Sequence, residues 1–306
     1  MNPAISVIIP AYNSRRTLLS AVQSVVDQGR RDLELIVVDD GSVDGTAEAL
    51  QGMSRLPVKV FRQENRGPAA ARNLGIVEAR GEWIAFLDAD DVWLPGKLDA
   101  QMSALARNRL YGFCYTDSII RAPDGSETTA RPRRGGRLIF EDLLLGTQFG
   151  TGAVIVSRDS FDRVGLFDTE LRTGEDWDMW LRLAGSGAGC HVSESFLVYE
   201  ISNNADKYTV DLLERCTLRV LERLFSRQWN TTTSIRPTAI KGWLYAWHYA
   251  VLAKSYFARR RYRDALRLSA SSVRSHPAGF RFLARSWDVA GRWPDIHCSI
   301  AEGGSP

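Results

Sequence analysis

Apolar residues along the first two thirds of the chain alternate between two rhythms. Ile5-Ser6-Val7-Ile8-Ile9-Pro10 is a β-branched run closed by proline, which predicts a buried strand. From Thr17 to Gln28 the apolar positions Leu18, Leu19, Val22, Val25 and Val26 recur at helical spacing. Leu33 to Val38 predicts a second strand running into Asp39-Asp40-Gly41-Ser42, with a helix starting near Asp44-Gly45-Thr46. Val58 to Arg62 predicts a third strand, Gly67-Pro68 opens a helix through Ala79, and Trp83 to Leu87 predicts a fourth strand ending in Asp88-Ala89-Asp90-Asp91.

Strands alternating with helices predict an α/β fold with a mostly parallel sheet flanked by helices, whose ligands bind beyond the carboxyl ends of the strands. Three such ends carry polar signatures: Tyr12-Asn13, Asp39-Asp40 and Asp88 to Asp91. The middle is less regular. Arg121 to Arg137 has no periodicity and predicts a mobile loop. Gly150-Thr151-Gly152 precedes a short strand, Ala153 to Val156, and then a helix. Gly174-Glu175-Asp176-Trp177-Asp178 leads into a helix from Met179 to Ala184, and Phe196 to Ile201 predicts a last strand. From about Asp206 the pattern becomes helical. Tyr249, Leu252, Ala253, Tyr256, Tyr262, Ala265 and Pro277 have the spacing of one tetratricopeptide-like hairpin over 246–277, and a generic helical hairpin fits equally well.

Charge marks the same boundary. Residues 1–204 hold 22 Lys+Arg against 28 Asp+Glu, whereas residues 205–306 hold 17 against 8. The division predicts a catalytic domain over 1–204 and a basic helical region over 205–306. An acidic front half argues against nucleic-acid binding, while the basic tail suits anionic lipid, an acidic partner or a second copy of the chain. Four scattered cysteines, Cys114, Cys190, Cys216 and Cys298, fit reduced thiols. With no basic leader and with His248 and Lys254 interrupting the best apolar run, the expectation is a cytoplasmic protein without a transmembrane helix, peripheral at most to the inner membrane face.

Two carboxylates one residue apart, Asp88 and Asp90, suit a divalent cation and a ribose hydroxyl, although acidic residues at strand ends are commonly turn formers. Asp39 and Asp40 suit a pyrimidine N–H and a ribose hydroxyl, or a turn with a helix cap. Arg72 follows a helix amino terminus, a position suited to phosphate, and is otherwise a surface arginine. Glu175-Asp176 places carboxylates where one can take a proton from an attacking hydroxyl, with Asp176 favoured, or where they cap a helix. Trp177 and Trp180 suit either a sugar platform or the core.

Five motifs in order carry a resemblance: Val7-Ile8-Ile9-Pro10-Ala11-Tyr12-Asn13, Ile36-Val37-Val38-Asp39-Asp40-Gly41-Ser42, Asn65-Arg66-Gly67-Pro68-Ala69-Ala70-Ala71-Arg72-Asn73, Phe86-Leu87-Asp88-Ala89-Asp90-Asp91 and Gly174-Glu175-Asp176-Trp177. Over Val7 to about Ile201 the chain resembles the family 2 glycosyltransferases of the GT-A fold. The resemblance implies a nucleotide-sugar donor, Mn2+ or Mg2+ held through Asp90 with Asp88, and inverting displacement with Asp176 as base beside Glu175. It places Pro10, Ala11, Tyr12, Asn13, Asp39, Asp40, Gly41, Arg72, Asp88 and Ala89 around the nucleotide of a UDP-, dTDP- or GDP-sugar. The acceptor is then a glycan or lipid-linked hydroxyl in cell-surface or secreted glycan synthesis. No Q-x-x-R-W motif is present, which favours single addition over processive synthesis.

Two rivals remain. Asp88-Ala89-Asp90-Asp91-Val92 satisfies the D-x-D-x-V nucleophile motif of a haloacid dehalogenase-type phosphohydrolase, but it follows the fourth strand and leaves Asp39-Asp40 and Glu175-Asp176 without a role. A non-catalytic scaffold that binds nucleotide sugar is the other, against which every expected carboxylate is present.

Overall fold

The computed structural model describes residues 3–50, 58–131, 140–201, 209–227 and 240–288. They divide into two compact units, one from residues 1–138 and 148–203, the other from residues 139–147 and 204–306.

The first unit is built on a sheet of nine strands among the described residues, in the order β3-β2-β1-β4-β8-β6-β9-β5, with β7 pairing off that path with β6. Strands β1 (Ile5–Ala11), β2 (Leu33–Asp39), β3 (Val58–Arg62) and β4 (Trp83–Phe86) run parallel, and β1 sits between β2 and β4. Their polar carboxyl-terminal extensions therefore emerge on one edge. Helices α1 (Leu18–Val26) and α2 (Pro68–Glu78) make the crossovers where the apolar stripe and the Gly-Pro start predict them. Helix α2 lies hard on the sheet, since a Cβ on Gly75 would meet Ile8 Cγ2 at 2.4 Å. Where a helix is predicted near Asp44, the described residues form a 3₁₀ turn at Glu48–Leu50.

Beyond β4 the sheet becomes mixed, and here the structure departs from the sequence pattern. β5 (Val92–Trp93) leads to α3 (Lys97–Ala106), β6 (Tyr111–Arg121) and β7 (Glu127–Ala130). The predicted mobile loop from Arg121 to Arg137 is corrected by β7, which pairs antiparallel with β6 through Arg121↔Glu127, closed by an Arg121–Glu127 ion pair; residues 132–137 of that loop lie outside the described residues. A 3₁₀ turn at Thr151–Ala153 then feeds β8 (Val154–Ser157) and α5 (Arg158–Val164). Helix α6 (Glu175–Ser186) begins four residues before the predicted start, and β9 (Ala188–Glu200) continues the sheet parallel to β6.

In the second unit, α4 (Phe140–Leu143) accompanies α7 (Val210–Ser226), α8 (Lys241–Ala258), α9 (Tyr262–Ser275) and α10 (Gly279–Asp288). Helices α8 and α9 form a helical hairpin whose core joins Leu252, Ala253, Tyr256, Ala265 and Leu268 to Val210 of α7. A second cluster seats Phe282 edge-on against Trp243 and Trp247. Among the described residues no helix is long and apolar enough to cross a membrane.

Candidate active site

Asp39 ends β2 and Asp40 follows it, and the two do different things. Both are buried. Asp39 Oδ1 accepts from Ser42 N at 2.9 Å, while its buried Oδ2 accepts no hydrogen bond and faces the Arg62 guanidinium at 3.5 Å. A buried carboxylate oxygen left with acceptor capacity suits an external N–H. Asp40 is saturated: Oδ1 accepts from Gln63 Nε2 and Arg66 N at 2.7 and 2.9 Å, and Oδ2 from Gly67 N at 2.8 Å. It thus holds the loop into α2. Gly41 between Asp40 and Ser42 has φ +81, and an added Cβ would sit 3.0 Å from Asn65 N, so the turn requires glycine.

The end of β1 is stitched to this turn. Asn13, at φ 48, donates its N–H to Ser42 Oγ and accepts from Val43 N at 3.0 Å, and Ala11 O accepts from Asp40 N. Pro10 pairs with Val38. Tyr12 and Val43 stand exposed beside this turn.

A second cluster lies at the end of β4. Arg72, buried on the second turn of α2, donates through Nη2 to Asp88 Oδ1 at 2.7 Å and through Nη1 to Glu175 Oε1 at 2.8 Å. Burial opposes its charge, but the two carboxylates outweigh it and hold the guanidinium above its ordinary pKa. Burial raises the Glu175 carboxyl, and neighbouring Asp176 adds to this, against the pull of Arg72. Asp176 is half-buried, its Oδ1 accepting from Trp177 N at 2.7 Å. Three acids, Glu175, Asp176 and Asp178, occupy the first turn of α6, where the helix dipole favours negative charge. Trp177 and Trp180 are buried, which settles both as core.

Asp88-Ala89-Asp90-Asp91 forms a turn closed by Asp91 N to Asp88 O at 3.1 Å. Ala89 is buried and Asp90 exposed. Burial, then the charges of Asp88 and Asp90, push the Asp91 carboxyl well above the usual range. Among the described residues no group of three His, Cys, Asp or Glu side chains could hold a metal alone. The donor set fits Mg2+ or Mn2+ in another way, because these ions bind through one or two carboxylates and complete their shell with substrate phosphates and water. Beyond burial, part of what lifts Asp91 is the crowding of negative charge, which a cation at Asp88 and Asp90 would relieve. Gly152 lies against this turn: its carbonyl accepts from Trp93 Nε1 at 2.8 Å, and a Cβ there would approach Asp91 Oδ2 at 3.6 Å.

Several contributors show their roles only in the fold. Asn73 grips the Phe167 backbone with two hydrogen bonds of 2.9 Å, and the Phe167 ring lies 5.6 Å from the Arg72 guanidinium and edge-on to Phe86 at 5.5 Å. Arg182 anchors α6 through Asp178 and the carbonyls of Val164 and Gly165. An aromatic ladder from Trp180 through Phe149 and Tyr115 reaches His191, whose Nε2 is 2.6 Å from Asp117 Oδ1. Apart from Asp178 and Arg182, which are four residues apart on α6, these partners are distant in sequence, so no local spacing betrays them.

Residues 6–165 match the profile of Glycosyl transferase family 2. The chain is 33% identical over 207 residues to TuaG of Bacillus subtilis, whose name assigns it to teichuronic acid biosynthesis, covering 66% of this chain and 81% of that protein. It is 30% identical over 181 residues, 58% of this chain and 69% of that protein, to WfgD of Escherichia coli, a UDP-Glc:α-D-GlcNAc-diphosphoundecaprenol β-1,3-glucosyltransferase. The chain spans 36% of the length of a Rickettsia conorii glycosyltransferase that it also matches. Among solved structures, S. aureus TarS 1-349 in complex with UDP-GlcNAc aligns with TM-score 0.66 at 16% identity over 94% of this chain and 89% of that one. The mannosyltransferase PcManGT of Pyrobaculum calidifontis, in complex with GDP-Man and Mn2+, aligns with TM-score 0.60 at 20% identity over 95% and 81%.

Proposed function

Because the chain belongs to glycosyl transferase family 2, we propose that it moves one sugar, with inversion at the anomeric carbon, from a UDP-, dTDP- or GDP-sugar to an acceptor hydroxyl, with 1–204 as the catalytic domain. The observation that carries this reading is Arg72 bridging Asp88 and Glu175, which joins the end of β4 to the start of α6.

Asp39 Oδ2 accepts the base N–H, and Pro10, Ala11, Tyr12, Asn13 and Gly41 shape the pocket beside it. Asp40 acts through the loop it holds. Asp90, with Asp88, holds Mn2+ or Mg2+, which when bound neutralises charge on the leaving diphosphate. Arg72 keeps Asp88 oriented. Asp176, the more exposed of the α6 carboxylates, takes the proton of the acceptor hydroxyl as that oxygen bonds to the anomeric carbon and the bond to the diphosphate breaks. Glu175, fixed by Arg72, sets the position of Asp176. Likeness to WfgD, which acts on a diphosphoundecaprenol-linked sugar, supports a lipid-linked acceptor and a cytoplasmic enzyme peripheral to the membrane.

The test is melting temperature against a panel of nucleoside diphosphates with and without Mn2+, since a ligand that binds only the folded state raises it. A metal-dependent rise with one nucleotide names the base. Asp90→Ala should abolish the metal-dependent part, and Asp176→Asn should keep the rise and lose transfer. No rise with any nucleotide would overturn the reading in favour of a phosphohydrolase, a rise without transfer would favour the nucleotide-sugar-binding scaffold, and undiminished transfer by Asp176→Asn would remove it as base.

A further inference from the structure

The second unit exposes an unusual combination where α8 turns into α9. Phe257, Tyr262 and Leu266 are large apolar side chains 42%, 52% and 70% exposed, whereas Leu252, Tyr256 and Leu268 of the same hairpin are buried. The Phe257 and Tyr262 rings meet at 5.3 Å and 67°, and Leu266 lies one helical turn beyond Tyr262. Arg259, Arg260, Arg261, Arg263 and Arg267 are exposed around them.

These arginines are not all used inside the unit. Arg261 pairs with Asp211 and Asp264, and Arg267 with Glu214 and Asp264, while Tyr256 donates to Asp211 or Glu214. That network fixes the turn and has one more carboxylate than guanidinium. Arg260 and Arg263 lie outside it. Arg260 also takes φ 59 just after α8, a left-handed position that the backbone would sooner give to glycine. The turn therefore presents arginine where neither its ion-pair network nor its backbone asks for one.

We propose that the α8–α9 turn is a docking surface for a bilayer bearing anionic lipid headgroups. Aromatic rings with an apolar body settle at the headgroup level, arginines reach phosphate around them while their stems lie on apolar surface, and the attraction adds with each basic residue near the surface. A second copy of this chain is the poorer occupant, because a symmetric contact would set arginines against arginines. This deepens the reading of a lipid-linked acceptor and rests on it for its purpose, though the binding itself needs no donor.

The experiment is co-sedimentation of the full chain with vesicles of phosphatidylcholine alone or mixed with phosphatidylglycerol, without nucleotide or metal. Binding to the anionic vesicles only, weakened by salt, is the expected result. Arg260→Glu/Arg263→Glu/Phe257→Ser/Tyr262→Ser should lower it on the order of a hundredfold, with an unchanged circular dichroism spectrum and unchanged nucleotide-dependent melting shift. Equal binding to neutral vesicles, undiminished binding by the variant, or capture by soluble polyglutamate with none by vesicles would overturn the proposal. Failure of the transferase reading would instead appear as a missing nucleotide shift with vesicle binding intact.

Discussion

Arg72 and Glu175 are 103 residues apart in sequence and joined Nη1 to Oε1 at 2.8 Å, with both side chains buried. Through its other nitrogen the same guanidinium holds Asp88, so one side chain ties two acidic motifs together. A buried charge deprived of its partner is costly, whereas removing both charges is far less so. Arg72→Met should therefore destabilise the protein by about 3 to 5 kcal/mol in urea titration. Arg72→Met/Glu175→Gln should be more stable than Arg72→Met alone. Additive costs in that cycle would mean that the bridge contributes no coupling.

Asp39 and Asp40 are adjacent and both buried, yet their substitution should separate stability from binding. Asp40→Ala removes the acceptor of three hydrogen bonds and strands Arg66 N and Gly67 N, so a loss of about 2 kcal/mol or more is expected. Asp39→Asn can keep the Oδ1 bond from Ser42 N and replaces Oδ2, which accepts no hydrogen bond and has only the 3.5 Å ion pair to exposed Arg62, so its stability should stay within about 1 kcal/mol. Its nucleotide-dependent melting shift should vanish. A retained shift with Asp39→Asn would take the base contact away from this residue.

The parallel half of the sheet was legible because β1, β2 and β4 are largely apolar and each ends at a polar motif. The mixed half was not. Lys97 opens α3 fully buried, with Nζ over the Trp93 ring at 4.2 Å and donating to Gln101, so the helix's inward face begins with a residue that reads as surface. β6 carries Thr116-Asp117-Ser118 at its buried centre, where register shifts against β9 break any simple alternation. At the site, the five motifs were readable as motifs, while the division of labour between Asp39 and Asp40 and the grip of Asn73 on Phe167 depend on partners that only folding supplies.

The close approach of α2 to β1 gives a stability test linked to the site. At Gly75 an added methyl group would lie 2.4 Å from Ile8 Cγ2, so Gly75→Ala should cost about 1 to 3 kcal/mol by overpacking. Arg72 is one turn earlier on the same helix, and displacing the helix should also lower transfer. Ile8→Ala removes the opposing methyl group, so the double variant should lose less stability than the two single losses added together. Simple additivity would indicate that Gly75 is not held against Ile8.

The second unit offers a pH test independent of the transferase reading. His248 is buried on α8, its Nε2–H donating to Leu144 O at 3.0 Å, and burial lowers its pKa from 6.5 to about 4. Between those values the unfolded chain binds a proton that the folded one refuses, so stability falls as pH drops from about 6.5 towards about 4. At about 1.4 kcal/mol per pKa unit, the full loss from this group is about 3 kcal/mol. His248→Gln cannot titrate there, and although less stable at neutral pH it should show a flatter decline in urea midpoint over that range. An equally steep decline in the variant would place the acid sensitivity on other groups.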